Sequence, residues 1–128
     1  PLIFGRWKDI PVLGLPGNPV SAGVTSAIFL RAAINVMLGI GDGGLGTEKA
    51  RLGGDVKANG MRQEFMRATL DTDSDGNLVT TPFDRQDSAM MASFASADCL
   101  VIRPVDAPSA QAGDIVEIVR FDKGLSRF

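Results

Sequence analysis

The sequence predicts an α+β chain: a strand, a tight loop and a helix of the kind that ends an α/β domain, then a small, mostly β domain. Three observations carry this. Ile10-Pro-Val-Leu-Gly-Leu15 is a short apolar run broken by Pro16-Gly17-Asn18-Pro19. Val20, Val24, Ala27, Ile28, Ile34 and Leu38 then recur at three- and four-residue spacing, the period of a helix. From residue 47 onward the period falls to two.

The apolar run suits a strand buried on both faces. Asn18 is a good N-cap for the helix, and Pro19 fits the first helical position, where a missing N–H is no loss. Gly39 and Gly41 end the helix. Phe29, Leu30, Val36 and Met37 put apolar surface on further faces, so the helix calls for cover on more than one side. One strand and one helix cannot make a core. The expectation is therefore that residues 1–46, which include the glycine-dense joint Gly39 to Gly46, are the last piece of an α/β domain whose beginning lies upstream.

Residues 47–128 form the second region. Glu64-Phe-Met-Arg-Ala-Thr-Leu70 alternates, with Phe65, Arg67 and Thr69 on one face and Met66, Ala68 and Leu70 on the other. Asp73-Ser-Asp-Gly76 is a hairpin turn, and Leu78-Val-Thr-Thr81 is the return strand. Asp87 or Ser88 can cap a short helix through Phe94. Cys99–Ile102 and Ile115–Val119 are further strands, the last admitted by a turn at Gly113-Asp114. About five short strands and one short helix suggest a small barrel or a sandwich.

Composition narrows the function. The chain has 128 residues, 45% hydrophobic and 22% charged, with a formal net charge of −2. That suits a packed core and argues against a nucleic-acid partner. No His is present, which excludes Ser-His-Asp and Cys-His catalysis and any His-containing zinc site. The single Cys, Cys99, allows no internal disulfide and fits a reducing, cytoplasmic setting. The uninterrupted apolar stretches fall well short of a bilayer span, so no membrane insertion is expected. Asp71-Thr-Asp-Ser-Asp-Gly76 copies the opening of a calcium loop, but Pro82 stands where that loop needs a bidentate Glu.

The loop Leu15-Pro-Gly-Asn-Pro-Val-Ser21 is the main candidate site. Pro16 and Pro19 stiffen it, and Gly17 lets a ligand come close. Asn18 and Ser21 lie at the opening turn of the helix, where N–H groups and the helix dipole favour an anion. An ordinary capped connection explains Asn18 and Pro19 equally well. Arg67, read alone, is a surface strand arginine, and Ser88 a plain N-cap.

The order of motifs adds to this. Pro1-Leu-Ile-Phe-Gly5, then Pro11-Val-Leu-Gly-Leu-Pro-Gly-Asn-Pro-Val-Ser21, Arg62-Gln-Glu-Phe-Met-Arg67, Gln86-Asp-Ser88, Ala97-Asp98 and Gly113-Asp-Ile-Val-Glu117 closely resemble the molybdopterin molybdenumtransferase family, the MoeA and gephyrin E-domain group. The resemblance implies a fold: the terminal strand-loop-helix of a molybdopterin-binding α/β domain (1–46) followed by a C-terminal β-barrel domain (47–128). It also implies an activity, the insertion of molybdate into adenylylated molybdopterin (molybdopterin-AMP) by a homodimer. In such a dimer the cleft lies between the α/β domain of one subunit and the barrel of the other.

By position, Pro16, Gly17, Asn18, Pro19 and Ser21 would contact the cofactor substrate, and Arg67 and Ser88 would close the cleft as catalytic residues. The family's Mg²⁺-binding carboxylates belong upstream, so no metal ligand is expected in this chain and the fragment alone is expected to be inactive. A molybdopterin adenylyltransferase or acceptor enzymes are further partners that the resemblance suggests. The alternative is a non-catalytic protein-interaction or dimerisation module of the gephyrin E-domain type.

Overall fold

The computed structural model describes residues 2–41, 44–84, 86 and 94–121. The chain divides into two compact units, one built on the residues up to Leu45 and the other chiefly on those from Gly46 onward.

The first unit opens with a hairpin. Strand β1 (Ile3–Trp7) pairs antiparallel with β2 (Ile10–Gly14), in a register running from Ile3↔Gly14 to Trp7↔Ile10. Only Lys8 and Asp9 lie between the strands. Lys8 sits at φ +55, a left-handed conformation uncommon for lysine. An Arg6–Asp9 ion pair at 3.2 Å brackets the turn, and the Lys8 ammonium lies 4.8 Å from the centre of the Trp7 ring. β2 is the strand the sequence predicts, but it is not buried on both faces: Ile10 and Val12 are exposed, as are Ile3, Phe4 and Trp7. Its neighbour in the sheet is an antiparallel hairpin arm of five residues, too little surface to cover it.

The helix α1 then runs from Pro19 to Met37. Its start follows from the sequence. Asn18 takes an extended conformation (φ −71, ψ 127), its side chain accepts from the N–H groups of Val20 and Ser21, and Pro19 occupies the first turn. Its end follows as well: Leu38 and Gly39 close back on Ile34 and Val36, and Gly39 sits at φ +72. Between them Ser26–Leu30 is wound as a π-helix, a wider turn that the apolar spacing did not reveal. By length and composition α1 is long and apolar enough to cross a membrane. The uninterrupted apolar runs read from the sequence are shorter than this helix, which carries uncharged interruptions. The interruptions, Ser21, Thr25, Ser26 and Asn35, are uncharged, and Arg31 is the one charged residue within the helix. The same length and composition also suit a helix of a protein core.

The second unit is a closed five-stranded barrel with strand order β3-β5-β4-β6-β7. The strands are β3 (Thr47–Leu52), β4 (Glu64–Thr72), β5 (Leu78–Pro82), β6 (Cys99–Arg103) and β7 (Ile115–Arg120). Four match runs read from the sequence; β3 was not singled out. Closure is made by β3, which pairs antiparallel with β7 from Thr47↔Val119 to Arg51↔Ile115 and then parallel with β5 at Arg51↔Val79 and Leu52↔Thr80. The core within the barrel is Ala50, Leu52, Val56, Ala68, Cys99, Val101, Val116 and Ile118, with Met66, Leu70 and Leu78 packed against it. Met66, Ala68 and Leu70 are therefore the inward face of β4, as their alternation predicts. The short helix expected from Asp87 or Ser88 lies outside the described residues, apart from its end at Phe94.

Just past the end of β3, Gly53 lies against β5, its N–H donating to the Thr80 carbonyl at 2.9 Å. A Cβ there would collide with Thr81 Oγ1 and lie 3.1 Å from Val79 Cγ1. Gly53→Ala is thus expected to destabilise the barrel by about 1–3 kcal/mol through overpacking. Urea midpoints of the two proteins check this; an unchanged midpoint would show that the seam has room.

The turn joining β4 to β5 is built by Asp73. Its Oδ1 accepts from the N–H groups of Asn77 and Asp75, both at 2.9 Å. The Asn77 N–H above all holds the Asp73 carboxyl below its ordinary range. The Asp75 N–H, the Asn77 side chain and the Arg51 charge act the same way, and partial desolvation opposes them. Because the folded pKa lies below the unfolded one, the turn's contribution is present above about pH 3.9 and is lost as the pH falls through the lowered value. An NMR titration of the carboxyl carbons should place Asp73 below the ordinary Asp value. A midpoint at or above it would remove this source of acid sensitivity.

Candidate functional site

In the first unit the site is the loop between β2 and α1. Pro16 and Asn18 are half-buried, Gly17 and Pro19 are exposed, and Ser21 is half-buried on the first turn of the helix. The Asn18 carboxamide oxygen accepts from Val20 N–H at 3.0 Å and from Ser21 N–H at 3.1 Å, while Ala22 N–H donates to the Asn18 carbonyl at 2.8 Å. Pro19 has no N–H. Every amide of the opening turn is thereby accounted for. This corrects the sequence-based picture of open N–H groups at the helix start, since the cap and an anion would compete for the same donors. The loop keeps other means of holding an anion: the main chain of Gly17, whose Cβ position meets nothing within 4 Å, the Asn18 Nδ2, the Ser21 hydroxyl and the helix dipole. Trp7 lies on the hairpin and is 63% exposed.

In the second unit Arg67 stands on β4, opposite Leu100 of β6. Its position alternates with the inward Met66, Ala68 and Leu70, so it belongs to the outer face of the barrel. It is nonetheless only 3% exposed. The sequence-only reading of a solvent-facing strand arginine is overturned. Strand alternation assigns a face but cannot tell whether something outside the barrel covers it. Ser88 lies outside the described residues.

Gln86, two residues before Ser88 in the chain, is bound to the main chain at Arg67. Its Oε1 accepts from Arg67 N–H at 2.8 Å, and its Nε2 donates to the carbonyl of Arg67 at 2.9 Å and of Phe83 at 3.0 Å. The Gln86-Asp-Ser88 motif was legible, but the work of its first residue was not. Asp98 of the Ala97-Asp98 pair is likewise structural at one oxygen, Oδ2 accepting from Leu70 N–H at 2.9 Å. It borders a cavity of about 380 Å³ with Leu70, Leu78, Arg120 and Phe121; Arg67 does not line it.

Two further features went unseen in the sequence. Arg103 is 5% exposed and donates from Nη2 to the carbonyls of Lys57 and Pro108, pinning together two loops at one end of the barrel. Arg120 reaches Glu48 across the β3–β7 seam at 3.0 Å. Cys99 is fully buried, with its sulfur 3.3 Å from Thr80 Oγ1, as expected of an inert core thiol. Among the described residues no group of three or more His, Cys, Asp or Glu side chains could hold a metal ion. The donor set among the described residues does not fit Mg²⁺.

A small closed barrel of five strands, preceded in the chain by a hairpin, a proline-flanked loop and a long helix, defines a class: a small, mostly β barrel protein with one long helix. Comparison with known proteins supplies the family. The profile of the MoeA C-terminal region (domain IV) matches residues 49–121, more than half of the chain. The chain belongs to the MoeA family of molybdenum cofactor biosynthesis proteins.

Among its relatives, the molybdenum cofactor synthesis protein cinnamon of Drosophila melanogaster is 36% identical over 95% of this chain and 21% of its own length. Molybdopterin molybdenumtransferase 2 of Mycobacterium tuberculosis is 29% identical over 89% of this chain and 27% of its own. The molybdopterin biosynthesis MoeA protein of Pyrococcus horikoshii superposes with a TM-score of 0.74 at 30% identity, covering 94% of this chain and 28% of that one. A MoeA structure from Pyrococcus horikoshii OT3, at TM-score 0.70 and 21% identity, shares the fold. The chain thus spans between about a fifth and under a third of the length of these proteins.

Proposed function

We propose that this chain works within a molybdopterin molybdenumtransferase, inserting molybdate into adenylylated molybdopterin. Residues 1–46 are the end of its molybdopterin-binding α/β domain and residues 47–128 its C-terminal barrel domain. The observation that carries the reading is the buried Arg67 on a barrel of MoeA domain IV type, its main chain clamped by Gln86, in a chain that also holds the Pro16–Ser21 loop. All the groups to be held, a pterin-side phosphate, a nucleotide phosphate and molybdate, are anions. Arg67 offers a planar fork of donors for their oxygens. The Gly17 main chain, the Asn18 amide and the Ser21 hydroxyl offer neutral donors on a loop stiffened by Pro16 and Pro19.

In the dimer of this reading, the loop of one subunit and the barrel of the other close on the substrate together, with Arg67 and Ser88 as the catalytic residues. A cytoplasmic location follows from the same chemistry and fits the lone buried thiol. The 128-residue chain by itself is inactive on this account, because two half-sites without the metal-binding carboxylates cannot complete the exchange. The experiment is to add molybdopterin-AMP, molybdate and Mg²⁺ to the chain alone and to its full-length form, and to follow cofactor formation by reconstitution of a molybdenum enzyme. Turnover by the full-length form alone supports the reading. Turnover by the isolated chain, or none by either, contradicts it.

A further inference from the structure

We propose that Gln86 is a positioning residue for Arg67: its carboxamide is wedged into the β4–β5 ladder and fixes the main chain from which the Arg67 side chain springs. The inference rests on the reading of Arg67 as an anion-binding residue given above.

The register shows the wedge. β4 and β5 pair from Thr72↔Leu78 to Ala68↔Pro82. One step further, Arg67 and Phe83 would exchange two main-chain hydrogen bonds as an antiparallel pair. One of these forms directly, from Phe83 N–H to the Arg67 carbonyl at 3.1 Å. The other is replaced by a relay. Arg67 N–H donates to Gln86 Oε1 at 2.8 Å, and Gln86 Nε2 donates onward to the Phe83 carbonyl at 3.0 Å. The second hydrogen of Nε2 goes to the Arg67 carbonyl at 2.9 Å. The carboxamide therefore uses its oxygen and both of its N–H bonds.

Other side chains cannot take this place. Asparagine is one methylene too short for all three contacts. Glutamate has no N–H to give and sets a negative charge against two carbonyl oxygens. Leucine fills the space and leaves the Arg67 amide and the Phe83 carbonyl without their partner.

The position of the wedge links it to function. It lies where β5 peels away from β4, so Arg67 is the last residue of β4 held from both sides: by β6 through the Arg67↔Leu100 register and by the Gln86 relay on the other flank. A side chain that is 3% exposed goes where its main chain puts it. A misplacement of about 1 Å in such a group costs catalysis up to about 100-fold.

The test is a double-mutant cycle in the full-length protein carrying this chain. Wild type, Arg67→Ala, Gln86→Leu and the double variant are compared for kcat/KM in molybdate insertion. Amide exchange at residue 67 is followed in the same preparations. Gln86→Leu should lower kcat/KM about 10-fold and speed exchange at Arg67, and the double variant should be no slower than Arg67→Ala alone. Should Gln86→Leu not fold, Gln86→Asn enters the same cycle.

Additive losses overturn the positioning role and leave the role of Arg67 standing. So does full turnover of the Gln86 variant beside an impaired Arg67→Ala. An Arg67→Ala variant with wild-type turnover means that the anion-site reading has failed, and the positioning role falls with it.

Discussion

Arg67→Ala in the full-length protein is expected to lower the turnover of molybdate insertion by about 100-fold, the scale of removing one preorganised donor from a site of developing charge. At 3% exposure on the outer face of a barrel strand the Arg67 side chain is held in place, and fixed donors are what a site for developing charge requires. Phosphate and molybdate oxygens match its planar fork, and each charge-assisted contact is stronger than a neutral one. Arg67→Lys should recover part of the loss, because it keeps the charge and gives up the two-pronged geometry. Arg62→Ala serves as the control: Arg62 belongs to the same sequence motif, but it lies exposed before β4 and should leave turnover unchanged. Steady-state kinetics on the three variants check this. Equal losses for Arg62→Ala and Arg67→Ala would mean a general electrostatic effect, not a site.

Ile118→Ala should cost the barrel about 2–5 kcal/mol. Ile118 is fully buried on β7, within the cluster that holds Ala50, Leu52, Val101 and Val116. Three methyl or methylene carbons would be removed from a closed barrel, where strands paired on both sides cannot move in to fill the space. The contrast lies three residues away. Ile115 begins the same strand and is 58% exposed, so Ile115→Ala should stay within about 0.5 kcal/mol of wild type. Chemical denaturation of both variants gives the difference directly. Similar losses at the two positions would mean that Ile118 is not part of the packed core. A domain of ordinary stability, about 5–15 kcal/mol, stands to lose a large part of its margin at residue 118.

The helix boundaries were legible because they rest on local chemistry. Asn18 and Pro19 start α1, and Gly39 stops it, by interactions within a few residues. The Asp73–Gly76 turn was legible for the same reason. β1 escaped because its hairpin turn carries no Asn-Gly or Gly signal; Lys8 adopts the positive φ instead. β3 escaped because Thr47-Glu-Lys-Ala-Arg-Leu52 points only Ala50 and Leu52 into the core, a weak apolar signature. Barrel or sandwich stayed open from the residues alone, because closure depends on β3 meeting β7 and β5 at once, a matter of distant pairing.

The candidate site divides in the same way. The Pro16–Ser21 loop could be placed from sequence, since prolines and a cap define it. How its donors are shared could not, because Asn18 takes for the cap the amides that an anion would have used. The burial of Arg67 and Arg103 was out of reach for another reason. Arg103 is held by carbonyls 46 residues upstream and 5 residues downstream, and alternation within one strand carries no record of such partners. The Gln86 wedge spans 19 residues and leaves no periodic trace.

A crystal structure of the full-length protein with molybdopterin-AMP bound is the most direct measurement. The proposed site predicts the ligand seated against Pro16–Ser21 of one subunit, with Arg67 of the partner subunit within about 3 Å of a phosphate or molybdate oxygen. A ligand bound elsewhere, with the loop packed shut and Arg67 out of reach of it, would contradict it.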